Sequence, residues 1–158
     1  MLYRGVELTF TPSRHFSGRG LDDQYSTLWG SWVIKSKNLN MYFSGDGGYS
    51  ETFKYLGDKF GPFDIAFMEN GAYNLDWRQI HMLPEQTVQA SIDLRAKVLF
   101  PIHWGKFSLA LHPWDEPVIR LAKEVGDRNV TIATPMIGEV FGLDKLPDSS
   151  WWQPLRRN

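Results

Sequence analysis

The chain has 158 residues and a mass of 18.2 kDa, the size of one domain. Hydrophobic residues make up 42%, charged residues 22% and aromatics 15%, which excludes a disordered or low-complexity chain and suits a bulky core or an apolar cleft. Lys and Arg number 17 against 18 Asp and Glu, which leaves no electrostatic footprint for nucleic acid, and the absence of cysteine excludes disulfides, thiolate-held zinc and a thiol nucleophile. Any metal must therefore be held by His and carboxylates. The N-terminal stretch carries Arg4, Glu7, Arg14, His15 and Arg19, which leaves no apolar core for a signal peptide. No apolar run is long enough to span a bilayer. With Met1 taken as the start, a cytoplasmic location is the expectation.

The chain reads as strands first, then strands alternating with helices. Residues 3–11 alternate Val6, Leu8 and Phe10 with Glu7 and Thr9, the pattern of a half-buried strand. Residues 12–26 form a loop rich in Ser, Gly, Arg and Asp. A second strand is expected over 27–35 and a third over 39–44, joined by a turn at Lys37-Asn38. Gly45-Asp46-Gly47-Gly48 breaks the third strand, and Ser50 is placed as the N-cap of a helix over 51–60. Gly61-Pro62 ends that helix. The nearly continuous apolar segment 63–68 then marks a strand buried on both faces. A helix over 84–96 opens on Pro84, and a buried strand spans 98–102. The loop 103–114, a helix over 116–125, and strands over 129–134 and 139–143 complete the pattern. The tail carries Trp151-Trp152, expected to pack against the core, and then Arg156-Arg157. The fold class is α/β, one sheet with loops at its strand ends that can form a site.

Four histidines are present: His15, His81, His103 and His112. His15 follows the first strand, Asp46 the third, and His103 the buried strand VLFPI. Strand ends of an α/β sheet converge on one crevice, and imidazole with carboxylate suits zinc and similar metals. Each residue also has a plainer reading. His15 and His103 equally suit hydrogen-bonded loop residues, Asp46 a turn residue, His81 a packing residue, and His112, before Pro113, a structural loop residue. Ser50 lies in no Gly-x-Ser-x-Gly elbow, so a serine triad is disfavoured.

The strings FTPSRHFSGRG (10–20), TLWGSWVI (27–34), YFSGDGGY (42–49), GPFDIAFMENGAY (61–73), HMLPEQTVQA (81–90) and PIHWGKFSLALHPWDEP (101–117) together resemble one branch of the metallo-β-lactamase superfamily. That branch contains N-acylphosphatidylethanolamine-hydrolysing phospholipase D and its bacterial relatives. The resemblance implies that His15, Asp46 and His103 are metal ligands, with Asp46 bridging two metals. His81 takes a substrate or proton-transfer role, so that Asp46 and His81 are the catalytic pair. Up to two zinc ions would acidify a shared hydroxide for hydrolysis of a small-molecule or lipid phosphodiester, or of a related ester.

The superfamily's His-x-His-x-Asp-His motif, which supplies most of the metal ligands, does not occur in this chain. Residues 1–158 are accordingly expected to form the C-terminal half of an αββα sandwich, one mixed sheet with helices on one face. A sheet built to pack on another leaves one face apolar, and each exposed large side chain forgoes roughly 1.5–3 kcal/mol of burial. The expected partner is a second copy of the chain or a separately supplied N-terminal half. The alternative is a non-catalytic subunit stabilised by oligomerisation, with little or no metal.

Overall fold

The computed structural model describes residues 1–18, 20, 22–107, 109–147 and 149–153; the basic pair Arg156-Arg157 lies outside the described residues. Six strands form one mixed sheet in sequential order: β1 (Leu2–Tyr3), β2 (Val6–Thr11), β3 (Ser31–Lys35), β4 (Asn40–Phe43), β5 (Ile65–Glu69) and β6 (Leu99–Ile102). The first four run antiparallel. The last two join parallel to β4, through crossovers that carry α1 (Thr52–Phe60) and α2 (Pro84–Asp93). A third helix, α3 (Glu116–Arg128), packs beside α2. Among the described residues, no helix is long and apolar enough to cross a membrane.

Several boundaries differ from the sequence reading, each for a local reason. Arg4 and Gly5 both take positive φ, making a two-residue turn that splits the expected first strand into a hairpin of β1 and β2. β3 begins at Ser31 rather than Thr27, because the Thr27 backbone is tied at both its N–H and its carbonyl to the Ser17 hydroxyl. The N-cap of α1 is Glu51, not Ser50, and no side chain caps it. α2 stops at Asp93, short of Ala96, since Arg95 turns to positive φ and sends its guanidinium to the Gly57 carbonyl. α3 runs on to Arg128 and closes on Asn129 in the left-handed conformation. The expected strand over 129–134 is reduced to one bridge, Leu99 to Ile132, and that over 139–143 to the isolated bridge of Gly142 with Lys145, after a turn in which the Glu139 N–H donates to the Met136 carbonyl.

The period-2 pattern sorts the sheet into two faces. Thr9, Val33, Tyr42, Ala66 and Leu99 lie in register on one face, where Phe53, Leu56, Val88, Leu121 and Val125 of the three helices, with Leu94 just after α2, close the main core. On the other face Phe10, Trp32, Phe43, Phe67 and Phe100 lie in register across five strands. The segment through Phe141 and Leu146 covers the Phe67–Phe100 end. Phe10, Trp32 and Phe43 remain 38–42% exposed. Trp152 is buried against Trp104, so the tail packs on the core as expected.

At the sheet end remote from the strand C-termini, Asp64 accepts the Asn40 backbone N–H and the Lys97 ammonium, each at 2.8 Å. Lys97, then Asn40, hold its carboxyl below the ordinary carboxylate range. A depressed carboxyl adds stability above its unfolded pKa of about 4 and loses it as pH falls through the folded value. Asp64→Asn is therefore expected to cost about 1–2 kcal/mol at pH 7. Urea melts of both proteins at pH 7 and pH 3 check this: the gap should close at the acid end, and an equal gap at both would refute the role.

Candidate metal centre

The C-terminal ends of β2, β4, β5 and β6 meet at one edge of the sheet, and the loops leaving them carry the candidate residues. His15 follows β2, Asp46 follows β4, Glu69 closes β5 and His103 follows β6. His81 arrives on the segment that leads into α2. His15, Asp46, His81 and His103 line a single cleft of about 360 Å³ with Phe16 and Trp77 among its other walls. The His15, His81 and His103 rings form a row, with 5.4 Å between successive centroids, and His81 occupies the middle.

Glycine makes this convergence possible at two points. A Cβ on Gly48 would run into the Gln79 carbonyl, so only glycine lets the segment carrying His81 lie against the Asp46 loop. A Cβ on Gly71 would meet the His103 carbonyl in the same way. The Gly48 N–H also donates to the Arg14 carbonyl at 3.0 Å, joining the Asp46 loop to the His15 loop. His103 itself is held at φ +67°, a conformation uncommon for residues other than glycine.

The hydrogen bonds assign which ring atoms are available. His15 Nδ1 lies 2.8 Å from the Phe16 carbonyl, which can only accept, so Nδ1 carries the proton and Nε2 keeps its lone pair. His103 Nε2 is 3.4 Å from Asp46 Oδ1. Two ligand atoms on one tetrahedral ion with bonds of 2.0–2.2 Å stand about 3.3 Å apart, so this pair is spaced as a shared metal requires. The donor set, imidazole nitrogen and carboxylate oxygen, fits zinc and similar divalent ions.

Sequence reasoning missed Glu69. It is fully buried, and its carboxyl group lies 2.9 Å from His81 Nδ1 and accepts from the Met82 N–H at 2.9 Å. Burial pushes its carboxyl above the ordinary range, and His81, Met82 and His103 counter that shift in part. Glu69, His81 and His103 each offer a ligand atom within 4.8 Å of the others. Both Glu69 oxygens are already engaged, however, so Glu69 stands behind His81. The signal was present in the sequence: a lone carboxylate at the end of a strand buried on both faces must find a partner. His112 lies apart from the cleft, stacked on Tyr73 with a centroid distance of 4.3 Å, and keeps a structural loop role.

If Asp46 binds metal and His81 does not, Asp46→Ala should lose more metal than His81→Ala. Elemental analysis of both variants after incubation with zinc and desalting checks this, and equal contents would argue against Asp46 as a ligand. If His103 is a ligand, Gly71→Ala should displace it and lower the affinity for zinc on the order of 10-fold or more, as a zinc titration would read.

Over residues 3–104 the chain matches the Beta-lactamase superfamily domain. Outer membrane protein RomA of Klebsiella pneumoniae is 52% identical over 95 residues, covering 60% of this chain and 71% of that protein. The N-acyl-phosphatidylethanolamine-hydrolyzing phospholipase D 1 of Caenorhabditis elegans is 33% identical over 139 residues, 82% of this chain and 39% of that one. The metallo hydrolase Igni18 of Ignicoccus hospitalis shares the fold, with a TM-score of 0.65 at 21% identity over 85% of this chain and 52% of its own. The chain spans about two fifths of the length of several relatives, the nematode phospholipase among them, and about half of Igni18. From the sheet order, the helices on one face and the match over residues 3–104, the chain belongs to the metallo-β-lactamase superfamily, a family of metal-dependent hydrolases.

Proposed function

We propose that this chain supplies one side of the metal site of a phosphodiester or related ester hydrolase, with His15, Asp46 and His103 as ligands and His81 as the proton-transfer residue. The observation that carries this reading is the convergence of these four residues in one cleft, with Asp46 and His103 at ligand spacing. The name of the nematode relative supports a phosphodiester substrate. A divalent metal bound there supplies Lewis acidity to water and to the oxygen under attack. The chain's own residues do the rest: Asp46 and His103 fix the position of that charge, and the apolar walls exclude water. His81, between the other two imidazoles, exchanges a proton with the reacting oxygens.

The uncovered Phe10–Trp32–Phe43 band supports a second part of the reading. These 158 residues form one half of a sandwich, and the band docks on a partner sheet of the same superfamily, either an N-terminal half or a second copy. Burying each of these side chains is worth about 1.5–3 kcal/mol.

Hydrolysis of bis(p-nitrophenyl) phosphate should depend on added zinc or manganese and stop with EDTA. It should fall about 100-fold or more in Asp46→Ala, since even outer-shell losses cost 10–100-fold. His81→Ala should lower kcat by about 10²–10⁴ with metal content unchanged. Activity indifferent to EDTA and to Asp46→Ala would refute the hydrolase reading. Native mass spectrometry should find the chain paired, and Trp32→Glu should dissociate it; a wild-type monomer at micromolar concentration would refute pairing with a second copy.

A further inference from the structure

We propose that Glu69 is a positioning residue that holds His81 as the Nδ1–H tautomer, so that Nε2 faces the cleft with a free lone pair. The inference rests on the reading of His81 as the proton-transfer residue and deepens it. Glu69 has no freedom to turn: its N–H donates to Ser44 Oγ and its carbonyl accepts from Thr87 Oγ1, each at 2.9 Å. Its side chain is closed off by the Met82 N–H on Oε2 and by His81 Nδ1 on Oε1. The Met82 amide can only donate, so Oε2 must accept. The His81 ring remains 13% exposed along the cleft, and Nε2 lies on the edge opposite the nitrogen that faces Glu69.

This orientation decides which way a proton can travel. With Nδ1 protonated, Nε2 accepts a proton from the attacking water as that oxygen forms its bond to phosphorus or to the acyl carbon. The resulting imidazolium, protonated on both nitrogens, is stabilised by the adjacent buried carboxylate. The Nε2 proton then passes to the leaving oxygen as its bond to phosphorus or carbon breaks, which returns His81 to its starting form. The opposite tautomer carries its proton on Nε2 and cannot accept one there.

Glu69→Gln gives a sharp test because the glutamine is isosteric but has only one acceptor. The Met82 N–H needs that oxygen, so the amide NH2 must face His81 Nδ1, and the ring proton must move to Nε2. Long-range 1H–15N correlation spectra of histidine-labelled protein at pH 8, with His81→Asn to assign the signals, report the tautomer directly. We expect Nδ1–H in the wild-type protein and Nε2–H in Glu69→Gln, with kcat lowered about 10–100-fold and zinc content unchanged. Nε2–H in the wild-type protein, or the same tautomer in both, would overturn the assignment. The spectra need no substrate, so a protein with the expected tautomers but no hydrolysis would refute the hydrolase reading while upholding the role of Glu69 in setting the tautomer.

Discussion

The burial of Glu69 is the constraint to which the rest of the site answers. A carboxylate without water must have each oxygen matched by a donor, and an unmatched one would cost several kcal/mol. The two carboxylate oxygens are matched by His81 and the Met82 amide before α2, while the Glu69 backbone N–H donates to the Ser44 hydroxyl after β4 and its carbonyl accepts from the Thr87 hydroxyl within α2. Satisfying this one buried residue thus fixes the end of the sheet, the entry to a helix and the central histidine of the cleft relative to one another. The β5 strand is held between β4 and β6, so this fixed point also sets where Asp46 and His103 stand.

Steric permission complements this polar constraint. Gly48 and Gly71 sit in the loops that follow β4 and β5 and admit the backbones of Gln79 and His103 at distances that any side chain would forbid. The loops are therefore pressed together rather than merely adjacent, which is how three imidazoles come to lie in a row. His103 is at positive φ in this arrangement, a local cost accepted at the site.

The two faces of the sheet have different fates. The helix-covered face forms a closed core through Tyr42, Ala66 and Leu99, whereas the opposite face presents aromatics in register and is only partly covered by the segment around Phe141. The exposed part of that band is Phe10, Trp32 and Phe43, aligned across three adjacent strands.

Alternation in 6–11, the apolar run at 63–68 and Pro84 at a helix start made the strand–helix order legible from sequence alone, because side-chain period and proline chemistry are local properties. The family resemblance likewise named His15, Asp46, His81 and His103. Other features were decided beyond the local sequence. The Thr27 backbone answers to the Ser17 hydroxyl rather than to its own β propensity, and the last expected strand is reduced to an isolated bridge after a turn at Met136–Glu139. Glu69 was legible as a carboxylate in a buried strand that needs a partner, but that the partners are His81 and the Met82 amide was not, because they arrive from a separate stretch of chain. The sequence by itself determined the alternation of elements and the kinds of ligand available. Only the tertiary structure decided that His81 Nδ1 faces the buried Glu69 carboxyl and that Asp46 stands beside His103 Nε2, because those partners are brought in from distant parts of the chain.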